Sequence, residues 1–290
     1  MGTINGNLLD TMWDSIDSQL STHRSRRRPH RLHPPLQQFL LTFLSRTILG
    51  AETSAIPEIE NSGHIMLDKW LALQPPPVHQ HFTTPGRNLP PLLLLPFLAR
   101  FNAFEEGFDL FPVTLTSLGD QKSVHDELRR KLERNYRIKF SSFETVKEMD
   151  LINSFVYETL RLNPPVPSQF GRARRDFDLS SHNAVFEIKK GELLCGYQPV
   201  VMRDPKIFGN PEDFVYDRFS KKKGGGELLK YLYWSNGPQS GSQGPSASNK
   251  QCAARDTVPM TAAVFLAYLF QRYDNIDISS GSITALQKAK

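Results

Sequence analysis

The sequence predicts a mainly α-helical fold with small β-sheets. Helical periodicity dominates as far as Leu162, short alternating segments follow residue 167, and an apolar stretch from about Ala253 to Tyr273 reads as a long closing helix. With 290 residues, 39% of them apolar, the chain can bury a sizeable core. Its 21 prolines divide the helices from one another and set the borders of the irregular stretches.

Residues 8–23 form an amphipathic pattern, with Leu8, Leu9, Met12, Trp13, Ile16 and Leu20 on one face. A basic, proline-broken run, RSRRRPHRLHPP, follows at 24–35. It reads as a patch for RNA or a membrane, or as a solvated loop. The lack of interleaved stacking aromatics favours the loop. Helices are expected at 36–50, closed by Gly50, and at 58–73. Residues 75–96 hold seven prolines and cannot form a regular helix. His79 and His81 lie in that stretch without acidic or thiol neighbours, so a solvated loop suits them better than a metal site. A helix interrupted near Gly107 and Pro112 is expected over 101–121. A charged surface helix follows over 121–137, with Glu127–Lys131 and Glu133–Arg137 four apart. The next helix starts around Ser142, Glu144 and Thr145 and stops at Asn163-Pro164-Pro165.

Beyond it, GRARRDFDL and AVFEIKKGELLCGY predict short strands around turns. A proline-punctuated meander is expected at 202–219, a flexible loop at 221–227, and a long aperiodic loop at 235–251.

Composition excludes several classes. A net charge of +5 is too mild to argue nucleic-acid binding alone. Two cysteines, Cys195 and Cys252, cannot build a disulfide framework, and no CxxC pair suggests zinc. The start shows no basic segment followed by an apolar one, as a secretory signal would, and Gly6 replaces the Ser or Thr of a myristoylation signal. The apolar run at 89–101 is too short, and too rich in proline, to span a membrane.

Three features carry candidate chemistry. Glu158 and Arg161 are three apart on one helix, among Phe155, Val156, Tyr157, Leu160 and Leu162, so the pair is expected to be partly buried. A buried pair needs a further partner for the arginine fork, and Arg218 in the meander is placed to complete a Glu–Arg–Arg lock. Cys252 then precedes the closing helix, where the helix dipole would bias a thiol toward thiolate. Such a thiolate serves as a nucleophile or as an axial metal ligand. Cys195 reads as a small buried hydrophobe in a strand.

An ExxR helix, an arginine-bearing meander and a cysteine before a C-terminal helix, in that order, resemble the C-terminal portion of a cytochrome P450 fold, here incomplete. ETLRLNPPVP (158–167), KKGELLCGYQP (189–199), YLYWSNGPQ (231–239) and the long insertion ending in NKQCAA are similar to one atypical plant branch. That branch rearranges fatty-acid hydroperoxides and comprises allene oxide synthases, hydroperoxide lyases and divinyl ether synthases. ELLCGYQPVVMRDP and ITALQKAK look most like the 13-hydroperoxide lyases. The resemblance is strong over 140–290 and weaker over 8–73.

The resemblance implies haem b as cofactor, with Cys252 as axial iron ligand and Lys250 paired to a haem propionate. FNAFEEGF (101–108) resembles the family's haem-facing helix and implies that Asn102 contacts the peroxide through its amide. The implied reaction cleaves a fatty-acid hydroperoxide to a short aldehyde and an oxo-acid, with no reductase. An allene oxide synthase, or an inactive truncated remnant, is the alternative. No nucleic-acid partner is implied, peripheral membrane association is left open, and relatives point to the chloroplast.

The whole chain is expected to form one partial P450 domain. Its parts are a helical segment at 8–73, an irregular one at 74–96, and the central helix, ExxR helix, meander, haem loop and last helix over 97–290. The resemblance also implies departures. The N-terminal region is missing, 74–96 replaces two or more helices, and Glu105 and Glu106 stand where glycines would approach the haem.

Overall fold

The computed structural model describes residues 38, 41–42, 55–72, 122–135, 143–164, 167–181, 183–234, 237–241, 246, 251–252, 255–279 and 282–287. The expectations for 8–35, for most of 36–50, and for 74–121 with His79 and His81, lie outside them. The chain divides into two compact units, residues 1–149 with 262–290, and residues 150–261.

In the first unit, α1 spans Pro57–Ala72 and α2 spans Lys122–Asn135. Glu58 and Glu60 lie in the first turn of α1, where the partial positive charge of the helix end favours them. Gly63 marks a close approach: a Cβ there would come within 2.4 Å of the Leu41 side chain. The Gln38 amide donates to the Ile59 carbonyl at 2.9 Å across the same approach. On α2, Val124, His125 and Leu128 are buried on one face, as the charged remainder of the helix predicts. A short helix, α3, follows at Phe143–Lys147.

The second unit opens with α4, Asp150–Leu162. One continuous helix is expected from Ser142 to Leu162, but the structure breaks it between Lys147 and Asp150. Asp150 explains the restart. Its carboxylate accepts the backbone N–H of Lys221 at 2.8 Å and the Ser220 hydroxyl, so it holds the meander as well as opening the helix. Ile152, Phe155, Val156 and Leu160 bury the apolar face of α4.

Four five-residue strands follow: β1 Ser168–Arg172, β2 Phe177–Ser181, β3 Ala184–Ile188 and β4 Leu193–Tyr197. They form two antiparallel pairs, β2 with β3 inside β1 with β4, so one hairpin is nested within another. Cys195 sits in β4 as expected, but it is exposed rather than buried. Its cross-strand partner Phe170 is 52% exposed and Tyr197 on the same face 54%, so that face is largely open among the described residues.

A one-turn helix, α5 at Pro199–Met202, leads into the meander. The stretch at 221–227 is not a flexible loop. It forms two 3-10 turns, Lys221–Lys223 and Gly225–Tyr231, joined at Gly224 with φ 82°. Gly225 admits no side chain, because a Cβ would lie 2.0 Å from the Arg218 carbonyl oxygen. The loop at 235–251 is also partly ordered by strand pairing: β5 Tyr233–Trp234 pairs with β6 Gly237–Pro238.

The last helix, α6, spans Thr257–Arg272, and residues 262–270 are buried all round, as an almost wholly apolar run requires. Pro259 stands in its first turn, where a missing N–H costs nothing. The chain closes with an antiparallel hairpin, β7 Tyr273–Ser279 and β8 Ser282–Gln287.

Candidate functional site

The second unit brings Glu158, Arg161 and Arg218 together. Helical spacing alone aligns the first two, and Arg161 grips Glu158 with a two-pronged fork, Nε to Oε2 at 2.7 Å and Nη2 to Oε1 at 2.8 Å. Both side chains are fully buried. The other three N–H groups of Arg161 donate to backbone carbonyls: Met202 at 2.9 Å, Pro211 at 2.6 Å and Asp213 at 3.1 Å. Arg218 adds Nε to Glu158 Oε1 at 3.0 Å, and its Nη groups donate to the carbonyls of Gly209, Asn210 and Asp213. The Val215 N–H also donates to Glu158 Oε1, at 2.9 Å. Phe208 lies under both guanidiniums, its ring centre 5.2 Å from Arg161 and 5.9 Å from Arg218.

The chemistry of this cluster is mechanical. One buried carboxylate orients two arginines, and their spare donors pin the carbonyls that the proline-rich meander leaves unpaired. Arg203 extends it, donating to the Leu162 carbonyl at 2.7 Å at the end of α4. The Phe219 N–H donates to the Ser154 hydroxyl at 2.9 Å.

Cys252 is half-buried and lies in irregular backbone. The closing helix starts at Thr257 rather than near Ala253, so Cys252 stands upstream of its first turn. A dipole effect confined to that turn therefore does not act on the thiol as the sequence suggests. The surroundings are instead set by neighbours that sequence reasoning missed. The Arg255 N–H donates to the Cys252 carbonyl at 3.3 Å, closing a turn around the cysteine. Arg255 Nη1 donates to Gln251 Oε1 at 2.6 Å and to the Pro238 carbonyl at 3.2 Å. Gln251 in turn lies on Gly237, where a Cβ would come within 2.9 Å of its amide. The only sequence signal for this was a glycine and a polar pair four apart, common features with no distinctive spacing.

Tyr157, next to Glu158 on α4, has its hydroxyl pKa pushed above 10.0, first by burial and then by the negative charge of Asp256. Lys250 and Asn102 lie outside the described residues.

The model for the family described as cytochrome P450 matches residues 114–275, more than half of the chain. The chain belongs to the cytochrome P450 family. Within it, the chain is similar to a chloroplastic fatty acid hydroperoxide lyase of Solanum lycopersicum, at 47% identity over 332 aligned positions, covering 97% of this chain and 68% of that protein. A probable inactive linolenate hydroperoxide lyase of Arabidopsis thaliana is 40% identical, covering 97% of this chain and 84% of that protein. The allene oxide synthase CYP74A2 of Parthenium argentatum is 44% identical but matches 64% of this chain and 39% of its own length. The chain thus spans about two thirds of the tomato lyase. The 332 aligned positions also outnumber the 290 residues, so the alignment opens gaps inside this chain.

Membership of the cytochrome P450 family implies haem. The residues present fit it. Cys252 offers a soft, partly accessible thiol of the kind that binds haem iron in this family. Among the described residues, the buried indole N–H of Trp234 has no hydrogen-bond acceptor and the buried side-chain oxygen of Gln239 has no donor. Trp234 lies in β5 and Gln239 directly follows β6, whose Gly237 touches Gln251, so these polar atoms sit on the hairpin beside the cysteine.

Proposed function

We propose that this chain is a haem-thiolate hydroperoxide lyase, cleaving fatty-acid hydroperoxides such as 13-hydroperoxy linolenate to a short aldehyde and an oxo-acid. The similarity to the tomato lyase, running through 97% of the chain, carries the reading. The Glu158–Arg161–Arg218 cluster supports it, since it fixes the meander that precedes the cysteine loop.

Cys252 Sγ is the residue to hold the iron of haem b, and Lys250 the residue to pair with a propionate. When bound, haem supplies the one-electron chemistry that opens an O–O bond. The protein's own task is then to hold and orient. The Asn102 amide both donates and accepts, so it can align a hydroperoxide without relaying a proton. Because the substrate brings its own peroxide, no reductase partner is required. Location in the chloroplast follows the relatives, whose names carry that term. No described helix is long and apolar enough to cross a membrane.

The direct test is to express the chain with haem, record the Soret spectrum, and supply 13-hydroperoxy linolenate. A thiolate-haem band with a volatile aldehyde is expected. A ketol in place of the aldehyde would assign allene oxide synthase activity. A second reading has its own support in the match to a probable inactive lyase, which this chain covers to 84% of its length. A chain that shows no thiolate-haem band, or turns over no hydroperoxide, belongs with that relative.

A further inference from the structure

We propose that Arg255 and Gln251 are positioning residues for Cys252, forming a clasp across the cysteine turn and fastening it to the β5–β6 hairpin. The inference deepens the haem-thiolate reading and rests on it for its purpose, though not for its geometry. Gln251 and Arg255 stand immediately before and three residues after Cys252. Their side chains meet at 2.6 Å, linking the two ends of the segment that contains Cys252. The same guanidinium nitrogen reaches the Pro238 carbonyl at 3.2 Å. On the far side, the amide of Gln251 packs against Gly237, where a Cβ would come within 2.9 Å of it. The Arg255 N–H closes the turn on the Cys252 carbonyl at 3.3 Å. The hairpin itself is anchored, since the Gln239 N–H donates to the Leu232 carbonyl at 2.7 Å and Trp234 is buried.

The physical consequence is positional. A cysteine in irregular backbone has many orientations open to it, and each one that the turn excludes reduces the entropy lost when the sulfur meets a ligand. Arg255 is 18% exposed at its side chain, so water competes only weakly for its donors. Neither side chain touches iron in this scheme. They act through the cysteine backbone.

The test uses the full chain in a Cys195→Ser background, so that Cys252 alone reports. The alkylation rate of Cys252 is measured at high pH, where the thiol is ionised throughout and the rate reads access. Arg255→Met and Gln251→Leu should each raise it roughly three- to tenfold, the ratio that losing one hydrogen bond of ordinary net strength permits. Their double variant should add little beyond either alone. Gln251→Glu keeps an acceptor for Arg255 and should restore the wild-type rate. Gly237→Ala, which displaces the Gln251 amide without touching Arg255, should act like Gln251→Leu. In haem-loaded protein the same variants should lose thiolate signature in proportion. Wild-type alkylation rates in Arg255→Met and Gln251→Leu overturn the clasp, and so does an additive double variant. If wild-type protein takes up no haem, the haem-thiolate reading falls, while the alkylation rates still decide the clasp.

Discussion

The arginine cluster and the cysteine turn belong to the same unit, yet they are built on opposite terms. At the centre of the cluster Glu158 and Arg161 are fully buried, and Arg161 uses all five N–H donors. Around Cys252 the side chains are half-buried, and the bonds at the turn include two from one guanidinium nitrogen, at 2.6 and 3.2 Å, and one backbone contact at 3.3 Å. A buried ion cluster tolerates no rearrangement, because any lost partner leaves a charge in a low-dielectric site. A half-exposed turn tolerates adjustment, because water replaces what it loses. The difference suits an anchor in one place and, in the function proposed above, an iron-holding cysteine in the other.

Breaking the anchor should give the largest effect. Glu158→Ala strands two guanidiniums and should cost about 3–5 kcal/mol, read as an earlier urea midpoint or as failure to accumulate folded protein. An unchanged midpoint would mean the cluster is not the anchor described. Gly225→Ala should come next, at roughly 1–3 kcal/mol, because its Cβ collides with the Arg218 carbonyl and shifts the meander. The same substitution at Gly171, where a Cβ meets nothing within 4 Å, is the matched control and should be close to neutral.

His125 offers a milder case between the two. It is 6% exposed, packs edge-on to Phe270 at 4.8 Å, and its Nε2 has no hydrogen-bond partner among the described residues. Burial first, and then the Arg129 charge, lower its pKa below 6.5, with Asp126 opposing. The folded state therefore prefers the neutral ring. Its contribution to stability is full above the ordinary pKa of 6.5, declines as pH falls below that value, and levels off once pH passes the lowered folded value. His125→Phe should flatten this part of the stability profile, and a wild-type profile without such a decline would contradict the burial. The smallest stability effect is expected at Cys252. Cys252→Ser should change the urea midpoint by an amount equivalent to less than about 0.5 kcal/mol while abolishing any thiolate-haem band. A large loss of stability there would erase the contrast with Glu158.

Much of this arrangement is readable from the chain alone. Helical spacing puts Glu158 beside Arg161 whatever surrounds them, and alternation with turn residues marks β3, β4 and parts of β1 and β2. Proline and asparagine end α4 where the pattern says. Those features follow from local geometry, which a sequence states directly. Other features needed the fold. Asp150 restarts a helix because Ser220 and Lys221 arrive from seventy residues away. The lysine and glycine run at 221–227 takes two 3-10 turns because Gly225 must pass close to the Arg218 carbonyl, not because its own residues favour them. Cys195 has the composition of a core strand but points outward, since facing is decided by register and cover.

The order of residues is enough to set a carboxylate and an arginine one helical turn apart, a second arginine in a meander, and a cysteine before an apolar helix. Folding is what brings Arg218 to the same oxygen of Glu158 that Arg161 holds. It alone placed Gln251 on Gly237, with Arg255 bound to Gln251 across the cysteine. Contacts along one helix are set by its pitch. Contacts between distant segments are set by packing, where each is formed only once all the others are in place.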